Sequence, residues 1–410
     1  MFVSDRAGFD PQRLAKIDEH LLRRYIEPKK ISGALTLVAR HGELAHLSPL
    51  GMMDLEREKS MQEDTIFRIY SMSKPITSVA LMTLWEEGGV QLSDPVHRFI
   101  PAWRDLRVYS SGTHPNYVTV PVERPMTVKD LLTHQSGLTY GFLNRTNVDL
   151  AYRTVGIGSA EIGPRSAAPS SLAEMMEKLA EIPLEFSPGQ HWNYSVSTDV
   201  LGHLVEVISG QRFDDFLAER IFEPLGMNDT GFSVPMEQAH RLAANYGRGA
   251  DKKLELGDDP VDSSYLKPPS FLSGGGGLVS TAGDYWRFCQ MLLNGGELDG
   301  ERVLGPRTID LMTMNQLTGG GDLPQRSVSL FSETQDRGTG FGLGFAVLMD
   351  NREAGGSSVG EYNWGGAAST IFWNDPAEDL VVIFMVQLMP SGLFNFRGQL
   401  RQLVYSAIVE

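Results

Sequence analysis

The stretch "YSMSKP" sets a hydroxyl three residues before an amine, as Ser71-Met72-Ser73-Lys74. Residues three apart share a helix face, so Ser71 and Lys74 can touch. Pro75 is tolerated only in a first turn, which puts the start of the following helix close to Ser71. A serine there sits at the positive end of the helix dipole, where a developing oxyanion is favoured. A lysine held away from water loses basicity and can take the serine's proton. The chemistry available is acyl transfer through a covalent serine intermediate.

The same spacing also occurs in ordinary polar turns. The chain holds a second match, Ser264-Tyr265-Leu266-Lys267, but Pro268 follows it and disfavours helical geometry before it. For Ser71 the helical run "ITSVALMTLWEEGG" fits. Two further stretches add to it. "PGQHWNYSVSTDVLGHLVEVISG" places Tyr194 just before a helix. "EYNWGGAASTIFW" places Trp364-Gly365-Gly366 at the head of a β-run, where glycines let a substrate approach the backbone. Taken singly, Tyr194 reads as a packing residue and Gly365-Gly366 as a turn.

A conventional lipase competes on one pattern, Gly356-Ser357-Ser358-Val359-Gly360, which fits G-x-S-x-G. That architecture orders its residues as serine, acid and histidine, and no histidine follows His240. Ser358 therefore reads as a loop residue. His134, in "LLTHQSGL", reads as a structural hydrogen-bonding residue. The remaining histidines show no metal-ligand spacing, so neither metal nor cofactor is expected.

The elements that must position these residues follow from periodicity. "FDPQRLAKIDEHLLRRYI" reads as a helix capped by Asp10, and "GALTLVARHGELAHL" as a hairpin turning at His41-Gly42. "TIFRIYS" is a short strand entering the serine motif. From about Asp94 to Ser270 helices such as "TDVLGHLVEVISG" and "FDDFLAERIFEPLGM" are joined by long polar loops. Strand signals return in "FGLGFAVLM", "STIFWND" and "LVVIFMVQL", and "FRGQLRQLVYSAIV" closes the chain as a helix. The expected organisation is a discontinuous α/β lobe from residues 1–93 and 271–410, with a mostly helical lobe at 94–270 inserted and the active site between them.

Composition narrows the function classes. The chain has 410 residues, 51 acidic against 36 basic, for a formal net charge of -15. It lacks the basic face of a nucleic-acid binder. A single cysteine, Cys289, excludes an intramolecular disulfide and sits in an apolar helical stretch. The opening residues do not read as a secretory signal, and no apolar run approaches the ~18 residues of a membrane span. The expectation is a soluble, cytoplasmic protein with no nucleic-acid or membrane partner.

In order and type, the S-x-x-K, tyrosine and glycine-rich motifs resemble those of the serine β-lactamase and penicillin-binding-protein superfamily. The resemblance extends through "LLTHQSGL", "PLEFSPGQHWNYS", "RIFEPLGMNDTGF", "GGGGLVSTAGDYWRF" and "LLNGG". Within the superfamily the chain looks most like the family VIII carboxylesterases, relatives of the class C β-lactamases. The resemblance implies a β-lactamase-like fold: an antiparallel sheet flanked by helices, with an inserted helical lobe. It makes Ser71 the nucleophile and gives Lys74 and Tyr194 shared acid and base work. The backbone N–H groups of Ser71 and Ala367 would form the oxyanion hole. Trp364, Gly365, Gly366 and Val196 would meet the substrate.

The chain departs from the β-lactamases where they carry Tyr-x-Asn and Lys-Thr-Gly. Here stand Tyr194-Ser195-Val196 and Trp364-Gly365-Gly366. Both changes remove polar groups that meet a β-lactam, and an indole offers an apolar wall in place of a cation. The expected substrate is a small carboxylic ester of short to medium acyl chain, with weak β-lactam hydrolysis as a side activity. Acyl transfer to an alcohol from the same acyl-enzyme, a true β-lactamase, D-amino-acid peptidase or amidase work, and a non-enzymatic scaffold are the alternatives. Loops 105–125 and 140–170 are expected to set acyl and alcohol preference.

Overall fold

The structure is a computed structural model and describes residues 7–158, 168–328, 337–352 and 354–409. Its centre is an antiparallel sheet of eight strands. In chain order they are β1 (Gly33–Arg40), β2 (Glu43–Asp54), β3 (Lys59–Ser60), β4 (Thr339–Phe341), β5 (Ala346–Leu348), β6 (Tyr362–Gly365), β7 (Ile371–Asp375) and β8 (Leu380–Met385). The spatial order is β4-β5-β6-β7-β8-β1-β2-β3. The first and last thirds of the chain thus build one sheet, joined where β1 pairs with β8, from Leu35 opposite Met385 to Arg40 opposite Leu380.

Strand alternation sorts the side chains of this sheet into two layers. Leu380, Val382 and Phe384 of β8 face an outer layer, with Ile371 and Trp373 of β7. That layer is covered by α1 (Pro11–Leu21) and α5 (Phe396–Tyr405). Asp10 caps α1 by accepting from Gln12 N–H, and Pro11 opens its first turn. Val381, Ile383 and Met385 face inward with Phe372 and Trp364, onto α2 (Ser73–Glu86) and α4 (Ala282–Leu293). Helix α2 is buried from Ser73 to Leu84. It carries apolar or small residues all round, the composition of a helix with no solvent face.

Residues 94–270 contribute α3 (Ser197–Ser209), which packs on α2, and several shorter helices. This part is less purely helical than its sequence suggests. The stretch expected as a loop at 105–125 is a hairpin, Arg107–Thr113 paired with Asn116–Pro121. Its alternating valines, tyrosines and threonines are strand formers, and the serines and prolines masked that pattern. A strand at Asn245–Arg248 pairs with Leu254–Asp258 and, in parallel, with Leu388–Met389. The stretch 140–170 contains a helix at Asn147–Thr154, and its residues 159–167 lie outside the described part. Trp364-Gly365 ends β6 rather than heading a strand, and the chain turns through 366–370 into β7. No helix among the described residues is long and apolar enough to cross a membrane.

Arg68, just ahead of the serine motif, ties these regions together. It is fully buried and donates to Asp258 at 2.7 Å, to the Ala243 carbonyl and to Ser263 at 3.1 Å. Asp258 keeps about a quarter of its side chain exposed. Removing the arginine leaves a carboxylate that water can reach, whereas removing the carboxylate leaves a buried cation. Asp258→Ala is therefore expected to destabilise more than Arg68→Met, which should cost about 2–3 kcal/mol. Urea unfolding of both variants checks the order; a smaller loss in Asp258→Ala would contradict it.

Candidate active site

Ser71 lies in a single turn of 3₁₀ helix, Tyr70–Met72, that runs directly into α2. The turn is held from three sides: Ile69 N–H donates to the Leu278 carbonyl, Met72 N–H to the Ile69 carbonyl, and Tyr285 OH to the Met72 carbonyl at 3.0 Å. Tyr70 takes a left-handed backbone, φ 41°, a costly conformation for an aromatic residue. Its hydroxyl accepts from Asn245 Nδ2 at 3.0 Å, which pins the side chain.

One turn on, Lys74 is 2% exposed. Its Nζ donates to Ser71 Oγ at 3.2 Å and to the Gly275 carbonyl at 2.6 Å. The "GGGG" run at 274–277 is docked on the first turns of α2 by two further bonds, Thr77 Oγ1 to the Gly274 carbonyl and Leu278 N–H to Ser73 Oγ. These glycines therefore form the seat of the amine.

Tyr194 arrives from the other side, just before α3. Its hydroxyl donates to Ser71 Oγ at 2.6 Å, and Lys74 Nζ sits 4.6 Å from its ring centroid. The segment 134–139 clamps it in place. Asn193 N–H donates to the His134 carbonyl, Asn193 Nδ2 to the Leu138 carbonyl and Val196 N–H to the Thr139 carbonyl. The ring of Tyr194 lies 6.2 Å from Trp192, nearly parallel to it, 5.1 Å from Tyr140 and 5.6 Å from Trp364.

His134 is buried beside this stack, with Nδ1 paired to Ser195 Oγ at 3.1 Å. Burial first, then the charge of Lys74, holds its pKa well below the ordinary range, so the imidazole stays neutral. Tyr140 has its pKa raised well above the usual phenol range, by burial and then by the charges of Asp199 and Tyr194.

The structure brings Lys74 and Tyr194 each within hydrogen-bonding reach of the Ser71 hydroxyl. Gly366 explains how β6 approaches them: a Cβ there would lie 2.5 Å from the Ile69 carbonyl oxygen, so only glycine lets the strand end rest against the serine turn. Among the described residues, neither Ser71 N–H nor Ala367 N–H donates to a protein acceptor. Trp364 is 1% exposed and packs between Tyr194 and Phe341, with ring centroids 5.4 Å apart for the latter pair. Gly365 faces the opposite side of the sheet, towards Arg397. Val196 is buried, with Cγ1 against Gly158.

Ser358 is held elsewhere, its N–H donating to Asp375 Oδ2 at 2.9 Å. Lys267 ends a short turn and has extended backbone. Sequence reasoning passed over Asp199, Tyr140 and Gly275. Asp199 reads as an ordinary first-turn acid, after Ser197-Thr198, and gave no signal of its own; Tyr140 stands among Leu138, Phe142 and Leu143, where a phenol is a weak signal, and Gly275 was visible only as one of four glycines. No group of three or more His, Cys, Asp or Glu among the described residues is placed to hold a metal ion.

Known proteins resemble this chain along nearly its whole length. A family model described as Beta-lactamase matches residues 19–406. Esterase EstB of Burkholderia gladioli is 30% identical over 402 residues, covering 94% of this chain and 93% of that protein. Monacolin J acid methylbutanoyltransferase of Aspergillus terreus is 27% identical over 421 residues, covering 95% and 93%. Among solved structures, EstCE1, described as a hydrolase with promiscuous acyltransferase activity, superposes with a TM-score of 0.79 at 27% identity, covering 98% of this chain and 99% of that one. The S-x-x-K turn, the sheet that carries it and a match running nearly end to end place one conclusion beyond the geometry alone: this chain belongs to the β-lactamase family.

Proposed function

We propose that this protein is a serine hydrolase cleaving carboxylic esters of short to medium acyl chain through an acyl-enzyme on Ser71. The observation that carries the reading is the Ser71 hydroxyl oxygen, met by Tyr194 OH at 2.6 Å and Lys74 Nζ at 3.2 Å. The serine oxygen forms a bond to the ester carbonyl carbon while its proton passes to the Lys74/Tyr194 pair. The carbonyl π electrons move onto oxygen, which the N–H groups of Ser71 and Ala367 receive. When the tetrahedral intermediate collapses, the C–O bond to the alcohol breaks and the pair returns the proton to the leaving oxygen. Water repeats the sequence and releases the acid. Both groups meet the same Ser71 oxygen, so the proton is assigned to the pair and not to either residue alone. In this reading residues 1–93 with 271–410 supply Ser71, Lys74 and Ala367, and residues 94–270 supply Tyr194.

Ester chemistry is supported by the apolar surroundings of the tyrosine and by the absence of a lysine at position 364. The likeness to Esterase EstB and EstCE1 supports it further. A second reading, transfer of the acyl group to an alcohol, shares the first half-reaction. The methylbutanoyltransferase relative and the description of EstCE1 favour keeping it. A panel of p-nitrophenyl esters, run with and without an added alcohol and beside a chromogenic cephalosporin, separates the readings.

Ser71→Ala is expected to abolish ester hydrolysis with the fold intact by circular dichroism, and Ser358→Ala to retain it. A dead Ser358→Ala beside an active Ser71→Ala would falsify the assignment.

Lys74→Ala and Tyr194→Phe should each lose at least ~10²-fold in kcat, typical of removing a positioned acid–base group. Activity should fall as pH drops, because protonating the pair removes the base that Ser71 needs. A pH–rate profile flat into acid would remove Lys74 and Tyr194 from that role.

Trp364→Ala removes a buried indole that braces Tyr194. It should lower kcat and cost about 3–5 kcal/mol in folding stability. An effect confined to KM would instead put the indole in contact with substrate.

A further inference from the structure

Asp199 lies on α3, one turn beyond Tyr194, and is buried. Its Oδ1 accepts from Ser273 Oγ at 2.5 Å and from Gly275 N–H at 3.0 Å. The same Gly275 presents its carbonyl to Lys74 Nζ at 2.6 Å. The carboxylate thus reaches the amine through a single residue, N–H on one side and C=O on the other. A Cβ at 275 would lie 2.7 Å from Asp199 Oδ2 and 2.9 Å from Tyr140 OH, so glycine is what lets these groups converge.

A buried carboxyl is costly unless a charge or several donors compensate it. Burial raises the pKa of Asp199, and the Ser273 bond, the charge of Lys74 and the Gly275 N–H oppose that rise in this order. An uncharged side chain could cap the glycine run at lower cost. What a carboxylate adds is a negative charge within electrostatic reach of Lys74.

We propose that Asp199 is a positioning residue for the reaction: it fixes Gly275 so that its carbonyl holds Lys74 within reach of Ser71, and its charge sets the proton affinity of Lys74. This rests on the reading of Ser71 as nucleophile and Lys74 as part of its base. Lys74 is faced by the hydroxyl of Ser71, by the Gly275 carbonyl and by the rings of Tyr140 and Tyr194, with neutral His134 also sensing its charge. Asp199 is faced by Ser273, Gly275, Tyr140 and Lys74. Of these groups Asp199 is the carboxylate. A nearby negative charge raises the proton affinity of an amine, so neutralising it must lower that affinity.

The test compares wild type, Asp199→Asn, Asp199→Ala and Ser273→Ala by the pH dependence of acylation, read from the p-nitrophenol burst. Asp199→Asn keeps an acceptor for Gly275 and loses the charge. Its acid limb should move to lower pH by about one unit, the scale of an opposite charge nearby, with KM little changed. Asp199→Ala loses the acceptor as well and should also drop kcat by at least ~10-fold. Ser273→Ala leaves the carboxylate with one donor fewer and should move the limb the same way by less, which provides the measurement if the Asp199 variants do not fold. Limbs that superimpose on wild type, with only the melting temperature lowered, overturn the proposal and leave Asp199 a structural cap. Intact mass of the wild type after the burst tells the two readings apart. No acyl adduct on Ser71 sinks the nucleophile assignment itself, whereas an adduct with an unmoved limb sinks only the role of Asp199.

Discussion

A lysine amine with almost no contact with water must have its acceptors supplied by the protein, and the arrangement around Lys74 follows from that need. A backbone carbonyl is a suitable acceptor because it offers no proton of its own and carries no full charge. Gly275 provides it, and the Gly274–Gly277 run can approach because it has no side chains to hold it off. That run is fixed to α2 by Thr77 and Ser73, which makes the helix and the glycine segment one unit. Helix α2 in turn is buried from Ser73 to Leu84, and its apolar residues pack on the inner face of the sheet. The sheet needs strands from both ends of the chain, so the placement of one amine depends on contacts between residues more than 300 positions apart, such as Leu35 with Met385.

Much of this was legible in the sequence. The helix after Ser71, the hairpin at His41-Gly42 and the β-rich third near the end each had a period, a cap or a turn signal that local physics reads directly. Ser71, Lys74 and Tyr194, which the structure brings together, stood out because their types and spacing are chemical, and the family resemblance supplied their order. What the sequence did not disclose depends on pairings at long range. The hairpin at Arg107–Pro121 hid behind turn-forming residues at its tip. The end of β6 was misplaced because Trp364-Gly365-Gly366 reads equally well entering or leaving a strand, and only the register of Trp364 opposite Phe372 decides it. Asp199 could not be tied to Lys74 at all, since the link runs through a glycine 76 positions away.

The aromatic residues around Tyr194 show how rigidity is obtained without a rigid backbone. Tyr194 stands in a loop, yet Trp192, Tyr140, Trp364 and His134 surround its ring. Their planes fix the phenol's direction, while the segment 134–139 fixes its height above Ser71. Neutral His134 suits this position: a second cation beside Lys74 would repel the amine that the site needs close by. The same enclosure keeps water from the phenol and the amine, which strengthens the hydrogen bond that each makes to Ser71.

Tyr70 bears on how such a molecule could change under selection. A left-handed tyrosine next to Ser71 holds strain on the order of 1–3 kcal/mol. Glycine at this position would relieve that strain, but it would also delete the ring and its contact with Asn245, a loss of similar size. The strained backbone and the anchored side chain are thus bound to each other: the ring's contacts offset the cost of the φ that aims the neighbouring serine. A change at residue 70 that eases the backbone therefore also frees the turn, so this position has few routes by which it can drift.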